Sequence, residues 1–367
     1  MHLFDLNDDV LNSILSRVDS ESLVDLMATC HIAYELAIQH LLYSVDLRLH
    51  VKQVLDFCKS ILSSQHTSMQ LPSLLKSLSM SDGAKILRTD PPFMSTLGFS
   101  AVLTMVLEQS HNLRKLHIEE IELLIEYHSQ ICDAIVGLPA LTSITFTGAG
   151  PQSFAMISRM RGLRHVHVEH VSDLIPVIRP FHTTLETISS EYKHWRNFED
   201  LQALADTDQW PRVHTLKLGV INVPHTRLVR AFPNLRNLRL QGSLPLVKET
   251  LLAGLTPCWP SLDYVEGLIV ELYRLALTCP IRELRFNSPP ENLLSTKEPD
   301  GTEKLFRPPS MFLDIIQSAS PVALSFPVSA TMQDELFFRQ LAALLPRLKI
   351  LGILVDLQPT STISHLV

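Results

Sequence analysis

The sequence predicts an α/β fold: a short N-terminal three-helix module, then a curved solenoid with parallel strands inside and helices outside. Three observations predict it. The first is a recurring pattern, Pro-x-Leu-x-x-Leu-x-Leu, seen whole in Pro233, Leu235, Leu238 and Leu240. Pro139 leads likewise into Leu141, Ile144 and Phe146, Pro211 into Val213, Leu216 and Leu218, Pro260 into Leu262 and Val265, and Pro346 into Leu348, Leu351 and Ile353. Without Pro the pattern recurs at Leu113/Leu116/Ile118, Leu163/Val166/Val168 and Ile281/Leu284/Phe286, and more weakly at Leu185/Ile188. The second is spacing: the first anchors, from Leu113 to Ile281, follow one another at 19 to 28 residues. The third is a switch of period, from alternation in these segments to helical spacing between them.

Each short unit follows from elementary geometry. Apolar residues at positions 4 and 6 share one face of a strand. One such strand cannot bury that face alone, whereas stacked units bury a continuous core. Proline disfavours helix at the residue before it, so it ends one helix and releases the chain into the next strand. On this pattern and period, residues 71–357 resemble an irregular leucine-rich repeat protein. The Asn expected three residues after the third apolar anchor is replaced by Ile121, Ala149, Val171, Ile221 and Ser243.

In chain order, residues 6–18 begin with Asn7 as an N-cap and Asp8 and Asp9 at the positive end of a helix. Val10, Leu11, Ile14, Leu15 and Val18 fall on one helical face. Residues 19–22 break the pattern and cap a second helix carrying Leu23, Leu26, Met27 and Cys30. A third helical run holds Ala33, Leu36, Ala37, His40 and Leu41. This stretch, residues 3–47, resembles an F-box. The matching positions are Leu6, Asp8, Asp9, Val10, Leu11, Ile14, Leu15, Ser16, Val18, Asp19, Leu23, Leu26 and Cys30, with Leu41–Leu47 running on toward the repeats. Asn7 stands where the family usually has Pro, and the Trp and Arg common after the Cys are absent. The alternative is a helical cap that only covers the first repeat.

Residues 48–70 are expected to hold a connecting amphipathic helix, with Val51, Val54, Leu55, Phe57, Cys58, Ile61 and Leu62 on its apolar side. Leu71–Ser81 reads as the first strand unit and Asp82–Ser95 as a loop. Candidate helices are Leu97–Glu108, Ile121–Val136, Ser153–Met160, Phe198–Ala205, Leu246–Leu255, Leu268–Leu277, Met311–Gln317 and Asp334–Leu345. Residues 287–309 break the period with two Pro-Pro pairs and no apolar rhythm, and read as an exposed insertion.

Bulk properties narrow the function. A chain of 367 residues with 46% hydrophobic content can bury an ample core. Net charge is −7, with six acids and one base in residues 1–30, which is not the basic balance of a nucleic-acid binder. The five cysteines form no CxxC pair and no metal spacing, and read as reduced, mostly buried thiols of an intracellular protein. No signal peptide and no membrane helix are read, so the expected setting is cytoplasm or nucleus.

No P-loop, GxSxG, HExxH or GxGxxG occurs. The run His165-Val166-His167-Val168-Glu169-His170 superficially resembles the HxHxDH of metallo-lactamase-type hydrolases, with Glu169 for Asp. Val166 and Val168, however, occupy the apolar slots of a repeat. His165, His167 and Glu169 are then exposed alternate positions, and no metal, cofactor or enzymatic role is expected.

The exposed positions 3, 5 and 7 offer a binding surface on the concave side of such a solenoid. The candidate substrate-binding residues are Lys115, His117, His165, His167, Lys217, Arg239 and Arg285. Lys217, Arg239 and Arg285 share position 5 and suit an acidic or phosphorylated segment. The two resemblances together imply the substrate-recognition subunit of a ubiquitin ligase. Leu6, Val10, Leu11, Ile14, Leu15, Leu23 and Leu26 would dock a Skp-family adaptor and, through it, a cullin–RING ligase. Within this set Leu6, Leu11, Ile14 and Leu15 would face the adaptor. The repeats would hold an unidentified substrate protein. The alternative is a repeat-only scaffold or inhibitor that binds no adaptor.

Overall fold

A computed structural model describes residues 6–47, 51–63, 70–81, 97–169, 174–191, 201, 204–205, 207–219, 225–241, 258–288, 308–329 and 335–356. The chain divides into two compact units, Met1–His170 and Val171–Val367.

The first unit opens with helices α1 (Asp8–Leu15), α2 (Ser20–Met27) and α3 (His31–Tyr43). Side chains cap each start. Asn7 accepts from the Asp9 amide at 2.9 Å, Asp19 from the Ser22 amide at 2.9 Å, and the Cys30 sulfur from the Ala33 amide at 3.5 Å. Asn7 therefore fulfils at the helix start a role that Pro cannot. Leu11, Leu15, Leu23 and Ala37 are buried together, with Val18, Leu26, Met27 and Leu36 packed against them.

Helix α3 runs straight into strand β1 (Ser44–Leu47). This strand pairs in parallel with β2 (Ser77–Met80), then β3 (Lys115–Ile118), β4 (Ser143–Phe146) and β5 (His165–Glu169) follow in chain order. The sheet thus begins at Ser44, inside the stretch assigned to the N-terminal module, and not at residue 71. Leu78, Leu116, Ile144 and Val166 stand in register and are all buried. The connecting helix is α4 (Val51–Ser63), with Val54, Cys58 and Ile61 buried.

Later helices of this unit are Leu97–Gln109, Ile121–Tyr127, Gln130–Val136 and Pro151–Arg159. The single helix expected over Ile121–Val136 is two. The break falls at His128, whose ring is buried against Phe99 with centroids 5.7 Å apart. Glu122 closes the next helix start. Its two carboxylate oxygens accept from the amides of Gln152 and Ser153, both at 2.9 Å. Gly150 allows that approach, since a Cβ there would lie 2.7 Å from the Glu122 carboxyl carbon.

In the second unit seven parallel strands follow in chain order: β6 (Thr187–Glu191), β7 (Thr215–Leu218), β8 (Asn237–Leu240), β9 (Leu262–Gly267), β10 (Ile281–Phe286), β11 (Ala323–Ser329) and β12 (Ile350–Asp356). Ile188, Leu216, Leu238, Val265, Leu284, Leu324 and Leu351 form one continuous row. All are buried except Leu351 on the last strand. Strand β11 escaped the sequence reading, although Pro321, Leu324 and Phe326 carry the same pattern. Residues around Pro308 and Pro309, assigned to the insertion, instead begin the helix Pro308–Ala319, consistent with the tolerance of a first helical turn for proline. The rest of the insertion, the loop 82–95, the helix expected over Leu246–Leu255 and most of Phe198–Ala205 lie outside the described residues.

Two asparagines fasten neighbouring units. Asn112 and Asn234 each precede a first anchor and donate from Nδ2, to the Ser73 and Pro211 carbonyls respectively, both at 2.8 Å. The places where the repeat family usually has Asn hold Ile121 and Ala149, both buried. The ladder position is apolar, and the polar fastening sits elsewhere in the repeat.

Candidate functional site

Two surfaces are built from the residues singled out by sequence. The first is the outer side of α1. Val10 and Ile14, one turn apart, are 48% and 40% exposed. Leu6 and Leu26 are half-buried. Leu11, Leu15 and Leu23 make the module's own core, so the expectation that they contact a partner is corrected. The sequence groups all seven on apolar faces, but three helices have to spend some of them on each other. Val24 on α2 and Ile32 on α3 are exposed apolar residues that the reading did not include. Asn12 lies 3.1 Å from His40 Nε2, linking α1 to α3 beside the exposed residues.

The second is the polar strand face. In the first unit the position-5 row reads Asp46, Ser79, His117, Thr145 and His167, and the position-3 row reads Ser44, Ser77, Lys115, Ser143 and His165. Lys115 is exposed, and His117, His165 and His167 are half-buried. Val166 and Val168 are buried, which places His165 and His167 on the opposite face. Glu169 departs from expectation: it is buried, with Oε1 3.9 Å from His167 Nε2. Among the described residues no group of three His, Cys, Asp or Glu side chains is placed to hold a metal ion.

In the second unit the position-5 row reads Ser189, Lys217, Arg239, Glu266, Arg285 and Ser325. The register brings Lys217 and Arg239 onto neighbouring strands and inserts Glu266 between Arg239 and Arg285. Glu266 Oε2 lies 3.5 Å from Arg239 Nε and accepts the Tyr264 hydroxyl at 2.6 Å. The guanidinium of Arg239 stands over the Tyr264 ring, 4.7 Å from its centroid. Burial and the Glu266 hydrogen bond push the Tyr264 phenol up to about 12, so it stays a donor. Arg239 is held on two sides, which fixes its fork and neutralises part of its charge. The cationic strip is therefore interrupted.

Elsewhere, burial shifts further titratable groups, among them Glu271, His128 and His225. Glu271 is buried on the helix Ile269–Arg274. Desolvation pushes its carboxyl up to about 8, although Oε2 accepts from the Leu268 amide at 3.3 Å. His128 and His225 are lowered by burial. The cysteines form no disulfide among the described residues. Only Cys58 and Cys279 are buried and Cys30 is exposed, which corrects the expectation that most are inside. Among the described residues no helix is long and apolar enough to cross a membrane.

No protein-family model matches the chain, and no curated protein matches it significantly.

Proposed function

We propose that this chain is the substrate-recognition subunit of a Skp–cullin–F-box type ubiquitin ligase, acting in cytoplasm or nucleus. The N-terminal helices dock a Skp-family adaptor, and the polar strand faces hold the substrate protein. The chain itself does no bond chemistry and contributes proximity and orientation. The observation that carries the reading is the division of apolar residues on α1. Leu11 and Leu15 are spent on the three-helix core, while Val10 and Ile14 remain outside in a module followed by stacked parallel repeats. Outward apolar residues on so small a module suit a partner surface.

The test is capture of the full chain on an immobilised Skp-family adaptor, for wild type and for Val10→Asp/Ile14→Asp. Capture of the wild type and its loss in the variant support the reading. Failure of the wild type to be captured leaves the second reading, a repeat-only scaffold or inhibitor. That reading is favoured by α3 running unbroken into β1, the arrangement of a helical cap on a first repeat.

A further inference from the structure

The strands of the first unit begin at an edge that carries one sign of charge and end at an edge that carries the other. The leading edge is set by the backbone. The Lys76 carbonyl accepts from the Arg114 and Lys115 amides at 2.9 and 3.0 Å, the Arg114 carbonyl from Thr142 and Ser143 at 3.0 Å, and the Thr142 carbonyl from Arg164 and His165 at 2.8 and 3.0 Å. Lys76, Arg114, Thr142 and Arg164 are thus stacked in one row at the strand starts. Lys115 stands one residue further along, and Arg161 lies in the turn before Arg164. Arg114, Lys115, Arg161 and Arg164 are exposed, and Lys76 lies over the Tyr43 ring at 4.9 Å.

No Asp or Glu occurs in the segments that form this edge, residues 70–77, 110–115, 137–143 and 160–165. The carboxylates flanking it in the chain are Glu108, and Asp133, which is paired with Arg159 at 2.7 Å. The described part of the trailing edge reverses the pattern. It holds Glu119, Glu120, Glu122 and Glu169 and no Lys or Arg. The corresponding leading-edge row of the second unit mixes both signs, as Glu186, His214, Arg236, Asp263 and Arg282.

We infer that the leading edge of the first unit, Lys76, Arg114, Lys115, Arg161 and Arg164, is the docking surface for a carboxylate-rich, extended segment of a protein partner. The inference rests on reading the repeats as the partner-holding part, and it names the partner's chemistry. Lys76 to Arg164 spans three strand steps, about 14 Å, which is the reach of roughly four extended residues. The guanidiniums of Arg114 and Arg164, at the starts of the strands either side of β4, each suit a bidentate contact to a carboxylate. The width of the basic zone decides between polyanions. Four-residue strands separate the two edges by only about 13 Å. A nucleic-acid duplex, whose major and minor grooves of about 12 and 6 Å together exceed that width, would carry phosphates across the acidic trailing edge. One extended peptide runs along the leading edge without meeting it.

The test is fluorescence anisotropy with the full chain and three probes: a labelled dodecapeptide of alternating Glu and Ser, its Gln counterpart, and an oligouridylate of equal length. The Glu peptide should bind, the Gln peptide should not, and binding should weaken with salt between about 0.05 and 0.3 M. Arg114→Gln/Arg164→Gln should weaken it about tenfold. Arg236→Gln/Arg282→Gln, on the mixed-sign leading edge of the second unit, should change it less than about twofold. If the first variant lowers the melting temperature, Lys115→Gln/Arg161→Gln replaces it and should show the same loss. Equal binding of the Gln peptide, an equal loss in the second-unit variant, no binding of the Glu peptide, or tighter binding of the oligouridylate would each overturn the inference. Adaptor capture is read separately with the N-terminal variant, so failure there rejects the ligase reading and leaves the peptide result standing.

Discussion

The indole N–H of Trp259 donates to the Phe232 carbonyl at 2.8 Å. Two repeats earlier, Trp210 donates in the same way to the Ile178 carbonyl at 3.2 Å, and its ring stacks on Phe232, the equivalent residue of the repeat between, with centroids 5.4 Å apart. Both indoles are buried. Each tryptophan thus fills the space between successive repeats and donates to a carbonyl at or just past a helix end. Trp259→Phe should cost about 1–2 kcal/mol, the size of a lost buried hydrogen bond, and Trp259→Ala about 3–5 kcal/mol. Denaturant unfolding followed by circular dichroism measures both.

The buried row tests the repeat itself. Leu216 and Leu238 are register partners and fully buried. Replacing either by Ala should destabilise by about 2–5 kcal/mol. Lys217→Ala, on the opposite face, should stay within about 0.5 kcal/mol. Equal effects at Leu238 and Lys217 would contradict the two-faced strand.

The N-terminal helices separate core from contact. Leu11→Ala and Leu15→Ala should each lower the module's stability by about 2–5 kcal/mol, because they empty the small core shared with Leu23 and Ala37. Val10→Asp/Ile14→Asp should leave the melting curve within about 1 kcal/mol of wild type while removing adaptor capture. Loss of capture together with loss of fold in the second variant would leave no case for an α1 contact surface.

Glu271 makes stability depend on pH in the alkaline direction. Its folded value is raised to about 8 from 4.5. The stabilisation it confers is complete below the unfolded value and is lost as pH rises through about 8. Glu271→Gln keeps an acceptor for the Leu268 amide without a charge to bury. It should be more stable than wild type near pH 9, by up to about 5 kcal/mol for the full shift, and indistinguishable near pH 4. Paired thermal melts at the two pH values decide it.

His128 acts in the acid direction. Burial against Phe99 lowers its value below 6.5, and among the described residues its Nε2 has no partner. Its stabilisation is present above the unfolded value and is lost as pH falls through the lowered folded value. His128→Phe should flatten the melting temperature below pH 6.5, where wild type declines. A parallel decline in both proteins would remove His128 as a cause.

The repeat pattern was legible because it has a local period. Each strand has apolar anchors at fixed spacing, and most begin after Pro or a helix end. The position-5 rows, from His117 to His167 in the first unit and from Ser189 to Arg285 in the second, came out in the register read from sequence. What the sequence concealed needed three dimensions. Seven apolar residues of the N-terminal module look alike along the chain, yet only packing tells Leu11 from Val10. Strand β11 was hidden because Pro321 fills the slot in which the other units carry an aliphatic first anchor. Lys76, Arg114 and Arg164 gather although 38 and 50 residues separate consecutive members, a relationship with no local signature.

Strand β12 has consequences for motion. Among the described residues it pairs with β11 alone, and Ile350, Leu351, Ile353, Leu354 and Val355 are exposed on it. In a one-dimensional stack a terminal repeat is stabilised by one interface, whereas an interior repeat has two. Opening should therefore start there and travel inward, so that amide protons of β12 exchange with solvent first, those of β11 and β10 later, and those of β8 last. The seven strands would then behave less like a single cooperative block than like a zipper with a loose pull.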